Sequence, residues 1–151
     1  MNKVRTIALL AMVVLVAGLA QAKQLAVVVD KENKTDDITT KELANILNGK
    51  TKTWTDGRPI KIVMRDPSSQ DAELVFRRLL NTTPEQVRAF IQAHPGLIVV
   101  ANSDAEVLHL VSVVRGAIGF VDLYSLTKDV KIIKIDKKLP FDLDYLLKGD
   151  D

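Results

Sequence analysis

Residues 60–81 read IKIVMRDPSSQDAELVFRRLLN, and this stretch decides the fold. Ile60, Ile62, Val63 and Met64 form an apolar run of strand length. Pro67 ends it, because its ring fixes φ and removes a backbone donor. Ser68 or Ser69 can cap the helix that follows, and Asp71 stands three residues after Ser68, close to a capping box. Ala72, Leu74, Val75, Leu79 and Leu80 then recur at helical spacing. A helix opening of this kind points free N–H groups and the positive end of its dipole outward. With Arg65 at the strand end, Ser68, Ser69, Gln70 and Asp71 supply the parts of an anion site. The same residues also fit an ordinary strand-to-helix connection carrying a surface Arg.

Working outward, the pattern of strand then helix repeats. Gln24–Asp30 (QLAVVVD) is almost wholly apolar, which suits a strand buried on both faces of a parallel sheet. Lys31–Asp37 reads as a polar loop. Thr39 and Glu42 form a capping box, and Leu43, Ile46 and Leu47 supply the buried face of that helix. Trp54 reads as a lid on the core edge. Thr83-Pro84-Glu85-Gln86 opens a further helix with Pro at its first position. Leu97–Val100 is another strand candidate. Ser103 and Glu106 read as a capping box for a heavily apolar helix containing Val107, Leu108 and Val111. Ala117–Val121 and Val130–Ile135 complete the strands, and Phe141–Leu146 reads as a short docking helix. The expected fold is α/β, a mostly parallel open sheet with helices on both faces. On such sheets ligands bind beyond the carboxyl ends of the strands, beside helix N-termini, where Arg65 and the Ser68–Asp71 loop lie.

The first residues read as an address. Lys3 and Arg5 precede a thirteen-residue apolar run, Ile7–Leu19, and Ala20-Gln21-Ala22 fits a signal-peptidase site. The run is short of the roughly 20 residues a spanning helix needs. We therefore expect a signal peptide over 1–22, one domain over 23–151, a periplasmic location and no membrane association after cleavage. Removing Lys3 and Arg5 from the 21 Lys and Arg leaves 19 bases against 19 acids. A nucleic-acid binder would carry a basic surplus, so no nucleic-acid partner is expected. The absence of Cys excludes disulfides and zinc-thiolate sites. His94 and His109 are the only histidines, and no serine is tied to either as a nucleophile would be. His109 reads as a packed core or edge histidine. Asp30, Asp36 and Asp37 read as a solvated acidic loop, and Lys128, Lys131, Lys134, Lys137 and Lys138 as a solvated edge-strand face. No catalytic residue, metal or cofactor is expected.

The segments ITTKELANILNGKTKTW, DGRPIKIVMRD and GAIGFVD, with the serine-containing loop between the last two, resemble the phosphate-type periplasmic substrate-binding proteins. In that family a Leu-Ser-x-x-x-Leu segment leads to Phe-x-Gly-x-x-x-x-Trp. A strand ending in Arg follows, then Ser-Gly-Thr at a helix opening, and Gly-x-Ile-Gly-Tyr comes near the end. Leu43, Ile46, Gly49, Trp54, Arg65, Ser69, Gly116, Ile118, Gly119 and Phe120 match. The resemblance spans Leu25 to Asp136 and implies one lobe of a type II periplasmic binding protein. It implies that Arg65 and Ser69 contact phosphate or a similar oxyanion, with a link to ABC transport. The chain departs from the family in lacking the first lobe of the clamshell. It also departs in placing Gln70 and Asp71 where the family has Gly and Thr, bringing a negative charge to the anion position. These departures support a second expectation, an interaction module that has lost ligand binding and meets an envelope protein or another copy of itself.

Overall fold

The computed structural model describes residues 23–149, so the signal-type segment 1–22 lies outside the described residues. Among the described residues six strands and four α-helices follow one another as β1 (Leu25–Val29), β2 (Asp37–Ile38), α1 (Thr40–Leu47), β3 (Lys61–Arg65), α2 (Gln70–Leu80), α3 (Pro84–Ala93), β4 (Ile98–Ala101), α4 (Asp104–Val113), β5 (Ala117–Asp122) and β6 (Lys131–Ile135), with a short 3-10 turn, Leu123–Ser125, after β5. They form one sheet in the order β2-β6-β1-β5-β3-β4. Strand β3 runs parallel to β4 and β5, and β2 runs parallel to β6. Only β1 is reversed, pairing antiparallel with both β5 and β6. The sheet is therefore mostly parallel, as expected. The QLAVVVD run, however, belongs to its one antiparallel strand. Five consecutive buried residues report a central position covered on both faces, and they carry no information about direction.

Each face has its own core. Val27, Val29, Ile62, Met64, Ile118 and Phe120 pack with Leu43 and Leu47 of α1, Val75 and Phe76 of α2 and Val87 of α3. Ala26, Val28, Val63 and Val121 pack on the other face with Val107, Leu108 and Val111 of α4. This division follows from strand alternation, which sends successive side chains to opposite faces. Helix α4 lies unusually close to the sheet at Gly119, where an added Cβ would sit 2.8 Å from Val111 and 2.9 Å from Val107.

The local punctuation is largely as expected. Thr39 with Glu42 and Thr83 with Gln86 form complete capping boxes. Trp54 is buried against the core edge and donates its indole N–H to the Gly116 carbonyl at 2.9 Å. Four expectations are corrected. Strand β6 is interior, flanked by β2 and β1, and Lys131 spans to Asp36 at 2.6 Å and to the Asn33 carbonyl at 2.8 Å instead of lining a solvated edge. Asp30 is buried, accepting from the Gly116 N–H at 3.1 Å with Arg58 3.6 Å away, so it does not belong to a solvated loop. Ser103 caps α4, but Glu106 turns instead to the Asn102 N–H at 2.7 Å, leaving the box half-made. The tail forms turns, not a helix. Its anchor is Tyr145, buried, whose hydroxyl donates to the Leu25 carbonyl at 2.7 Å, while Phe141 and Leu143 stay exposed. Among the described residues no helix is long and apolar enough to cross a membrane.

Candidate oxyanion site

Strands β3 and β5 are parallel neighbours, so their carboxyl ends open at the same edge of the sheet. Arg65 closes β3, Asp122 closes β5, and α2 and α4 begin beside them at Ser69 and Ser103. The edge thus collects two helix N-termini and the side chains that end two strands, the geometry in which open α/β sheets hold anions.

Ser69 is the cap of α2. Its hydroxyl accepts from the Ala72 N–H at 3.2 Å, and its carbonyl takes the Glu73 N–H at 2.9 Å. The first amides of a helix have no acceptor within it, which leaves those of Gln70 and Asp71 for water or a ligand. Ser68 does not cap. Its hydroxyl and N–H both donate to Asp66, an exposed carboxylate that also receives Arg88 at 3.3 Å. The Ser68 hydroxyl, then its N–H, then Arg88 hold the Asp66 carboxyl below the usual carboxylate range. The Gln70 side chain is exposed.

Arg65 and Asp71 do not pair with each other in the described contacts. Arg65 Nη1 bonds Asp104 Oδ1 at 3.1 Å, and the Asp71 carboxylate, 7% exposed, meets Lys23 Nζ at 2.9 Å. Lys23 also lies 3.6 Å from Asp122. The other oxygen of Asp104 accepts from the Ser125 hydroxyl at 2.8 Å and the Asp122 N–H at 3.3 Å. The Lys23 ammonium is held above its ordinary pKa, first by its hydrogen bond to Asp71, against burial, and further by the charges of Asp71, Asp122 and Asp104. Three carboxylates, Asp71, Asp104 and Asp122, therefore face two cations, Arg65 and Lys23, and the corner carries one excess negative charge.

Of the five expected site residues, Arg65, Ser69, Gln70 and Asp71 converge on this corner, while Ser68 is taken up by Asp66. The sequence reading missed Lys23, Asp104, Asp122 and Ser125. Strand order was the information needed to find them, because Asp122 becomes a neighbour of Arg65 only once β5 is placed beside β3. His109 is exposed on the wall of an adjoining groove of about 430 Å³, lined also by Asp104, Ser112 and Ser125, instead of packing in a core. Among the described residues no cluster of His, Asp or Glu could hold a metal ion.

Comparison with known proteins agrees with this fold. The family model described as a PBP superfamily domain matches residues 16–147. PstS from Borrelia burgdorferi superimposes with a TM-score of 0.71 at 27% identity, covering 86% of this chain and 56% of its own. An ABC-type phosphate transport receptor from Vibrio cholerae gives 0.66 at 24% identity, covering 80% and 49%. A phosphate binding protein from Stenotrophomonas maltophilia gives 0.64 at 20% identity, covering 80% and 41%. The chain spans about half the length of these solved structures. No curated protein matches it.

Proposed function

The chain belongs to the PBP superfamily, and from that premise we propose that it is an exported, non-catalytic binding domain for phosphate or a similar oxyanion, linked to phosphate ABC transport. On this reading residues 1–22 are a cleaved signal peptide, and residues 23–151 work in the periplasm as one domain. The observation that carries the proposal is Arg65 at the end of β3, beside the α2 N-terminus that Ser69 caps. Arg65 supplies a planar cationic fork suited to two phosphate oxygens, and the Gln70 and Asp71 amides supply neutral donors. To bind, the anion must displace Asp104 from Arg65. It must also approach a corner lined by three carboxylates and open to solvent, where charge-assisted bonds are weak. We expect a dissociation constant near millimolar, about −4 kcal/mol.

One observation favours a second reading. The carboxylates of Asp104 and Asp71 already satisfy Arg65 and Lys23, so the corner is electrostatically complete without a ligand. The same surface would then serve as a protein-interaction face of the cell envelope. Titration with phosphate in low and in moderate salt separates the two. Oxyanion binding through Arg65 weakens as salt is added, whereas an interaction module gives no phosphate heat at either ionic strength. Calorimetry is the suitable readout, because Trp54 is hydrogen-bonded to Gly116 at the start of β5, the opposite end of the strands from Arg65.

A further inference from the structure

Among the described residues β4 is the terminal strand of the sheet on the side away from β2. Edge strands usually carry a lysine, a proline or a bulge that discourages pairing with another chain. Strand β4 reads Ile98-Val99-Val100-Ala101 and has none of these within its length, pairing residue for residue with β3. Val99 is 36% exposed and Val100 41%, one on each face of the sheet.

The backbone phase of this edge follows from one bond. The Ile62 N–H donates to the Leu97 carbonyl at 3.0 Å, so that carbonyl and the peptide groups of Val99 and Ala101 turn towards β3. Ile98 and Val100 therefore turn theirs to the open side. Charged side chains stand just beyond both ends of β4. The Lys61 ammonium donates to the Gly96 carbonyl, and the Glu106 carboxylate accepts from the Asn102 N–H at 2.7 Å. The edge thus reads as a positive charge, two unpaired residues, and a negative charge.

We propose that β4 pairs antiparallel with β4 of a second copy of this chain, with the two-fold axis at Val99. In that register Ile98 lies opposite Val100 of the second copy, and each such pair exchanges both N–H···O bonds. Val99 packs on Val99 of the second copy in a close, non-hydrogen-bonded pair. Gly96 comes opposite Asn102 of the second copy, which sets Lys61 against Glu106 at both ends of the ribbon. The charge pattern is self-complementary only in the antiparallel sense, which is why a second copy is the occupant that fits, and the interface closes as a dimer. The proposal is independent of the oxyanion reading.

Sedimentation velocity of the mature chain over a concentration series tests it. A dimer should become populated as concentration rises. Val100→Pro should remain monomeric while keeping its melting temperature within a few degrees, because the lost N–H faces away from β3. Lys61→Glu and Glu106→Lys should each weaken the dimer about tenfold, by setting like charges opposite one another. Combining them should restore it. The charge pair also carries the test if the proline variant fails to fold. A parent chain that stays monomeric at every concentration would overturn the proposal. So would a dimer indifferent to Val100→Pro, or a charge reversal that its partner does not rescue.

Discussion

Replacing Gln70 by Gly and Asp71 by Thr together sets stability against binding at one corner of the molecule. Asp71 is buried, and its carboxylate holds Lys23 at 2.9 Å. A hydrogen bond to a charged group contributes about 1.5–3 kcal/mol. Lys23 is 39% exposed and can turn to water when its partner is lost, so the lower half of that range applies. Asp71 also stands in the first turn of α2, where an acid adds about 0.3–1 kcal/mol through the helix dipole. Glycine at the first helical position adds a cost of up to about 1 kcal/mol. The loss should total about 2–4 kcal/mol, or a fall in melting temperature of roughly 6–15 °C for a domain of this size. Removing one carboxylate also takes one negative charge from the corner, so phosphate should bind more tightly than to the parent. Adding Arg65→Ala should abolish that gain, because the bidentate donor is gone. Calorimetric melting without phosphate and phosphate titration at one ionic strength, run on all three proteins, give both quantities. If the double variant melts with the parent, the Lys23–Asp71 pair contributes nothing. If it binds phosphate no better, Asp71 is not the obstacle, and the interaction-face reading gains.

Three further outcomes follow from the structure. Val111→Asp should cost about 3 kcal/mol or more, because it places an unpaired charge on the fully buried face of α4, and chemical denaturation will read it. Gly119→Ala should cost about 1–3 kcal/mol by the same assay, since its methyl would overlap Val107 and Val111. The Glu42 carboxyl lies below its ordinary 4.5, held by the Thr39 N–H and then its hydroxyl, and that of Asp136 below 3.8, held by the Thr40 hydroxyl and then its N–H. Groups depressed on folding stabilise above the unfolded pKa and lose that contribution as pH falls through the folded one. Melting temperature should therefore decline below about pH 4.5, and less steeply in Glu42→Gln with Asp136→Asn.

What could be read from the sequence was what is local in it. The capping boxes at Thr39 and Thr83 lie within four residues, and the apolar run of β1 needs no knowledge of its neighbours. The strand-Arg-loop-helix order around Arg65 is equally local, and the structure has the same order, with Arg65 ending β3 and Ser69 capping α2. The ion pairs that decide the site's charge are not local. Arg65 and Asp104 are 39 residues apart, and Lys23 reaches Asp71 across the sheet. The reversal of β1 and the interior place of β6 depend on strand order, which periodicity does not encode. Strand β2 is two residues long, too short for any periodic pattern. The tail misled because Tyr145 and Leu147 are buried by docking on β1, through the Tyr145 hydroxyl and the Leu147 carbonyl, without any helix.

The claim that the end of β3 is an oxyanion site is tested most directly by calorimetric titration of phosphate into the parent chain and into Arg65→Ala at one fixed, low ionic strength. Arg65 is half-buried, and its described bond is to the Asp104 carboxylate, so its removal leaves both sheet cores untouched. The account predicts saturable binding near millimolar for the parent and none for Arg65→Ala, with both proteins melting cooperatively. Equal phosphate heats from the two proteins, or none from a folded parent, would contradict it.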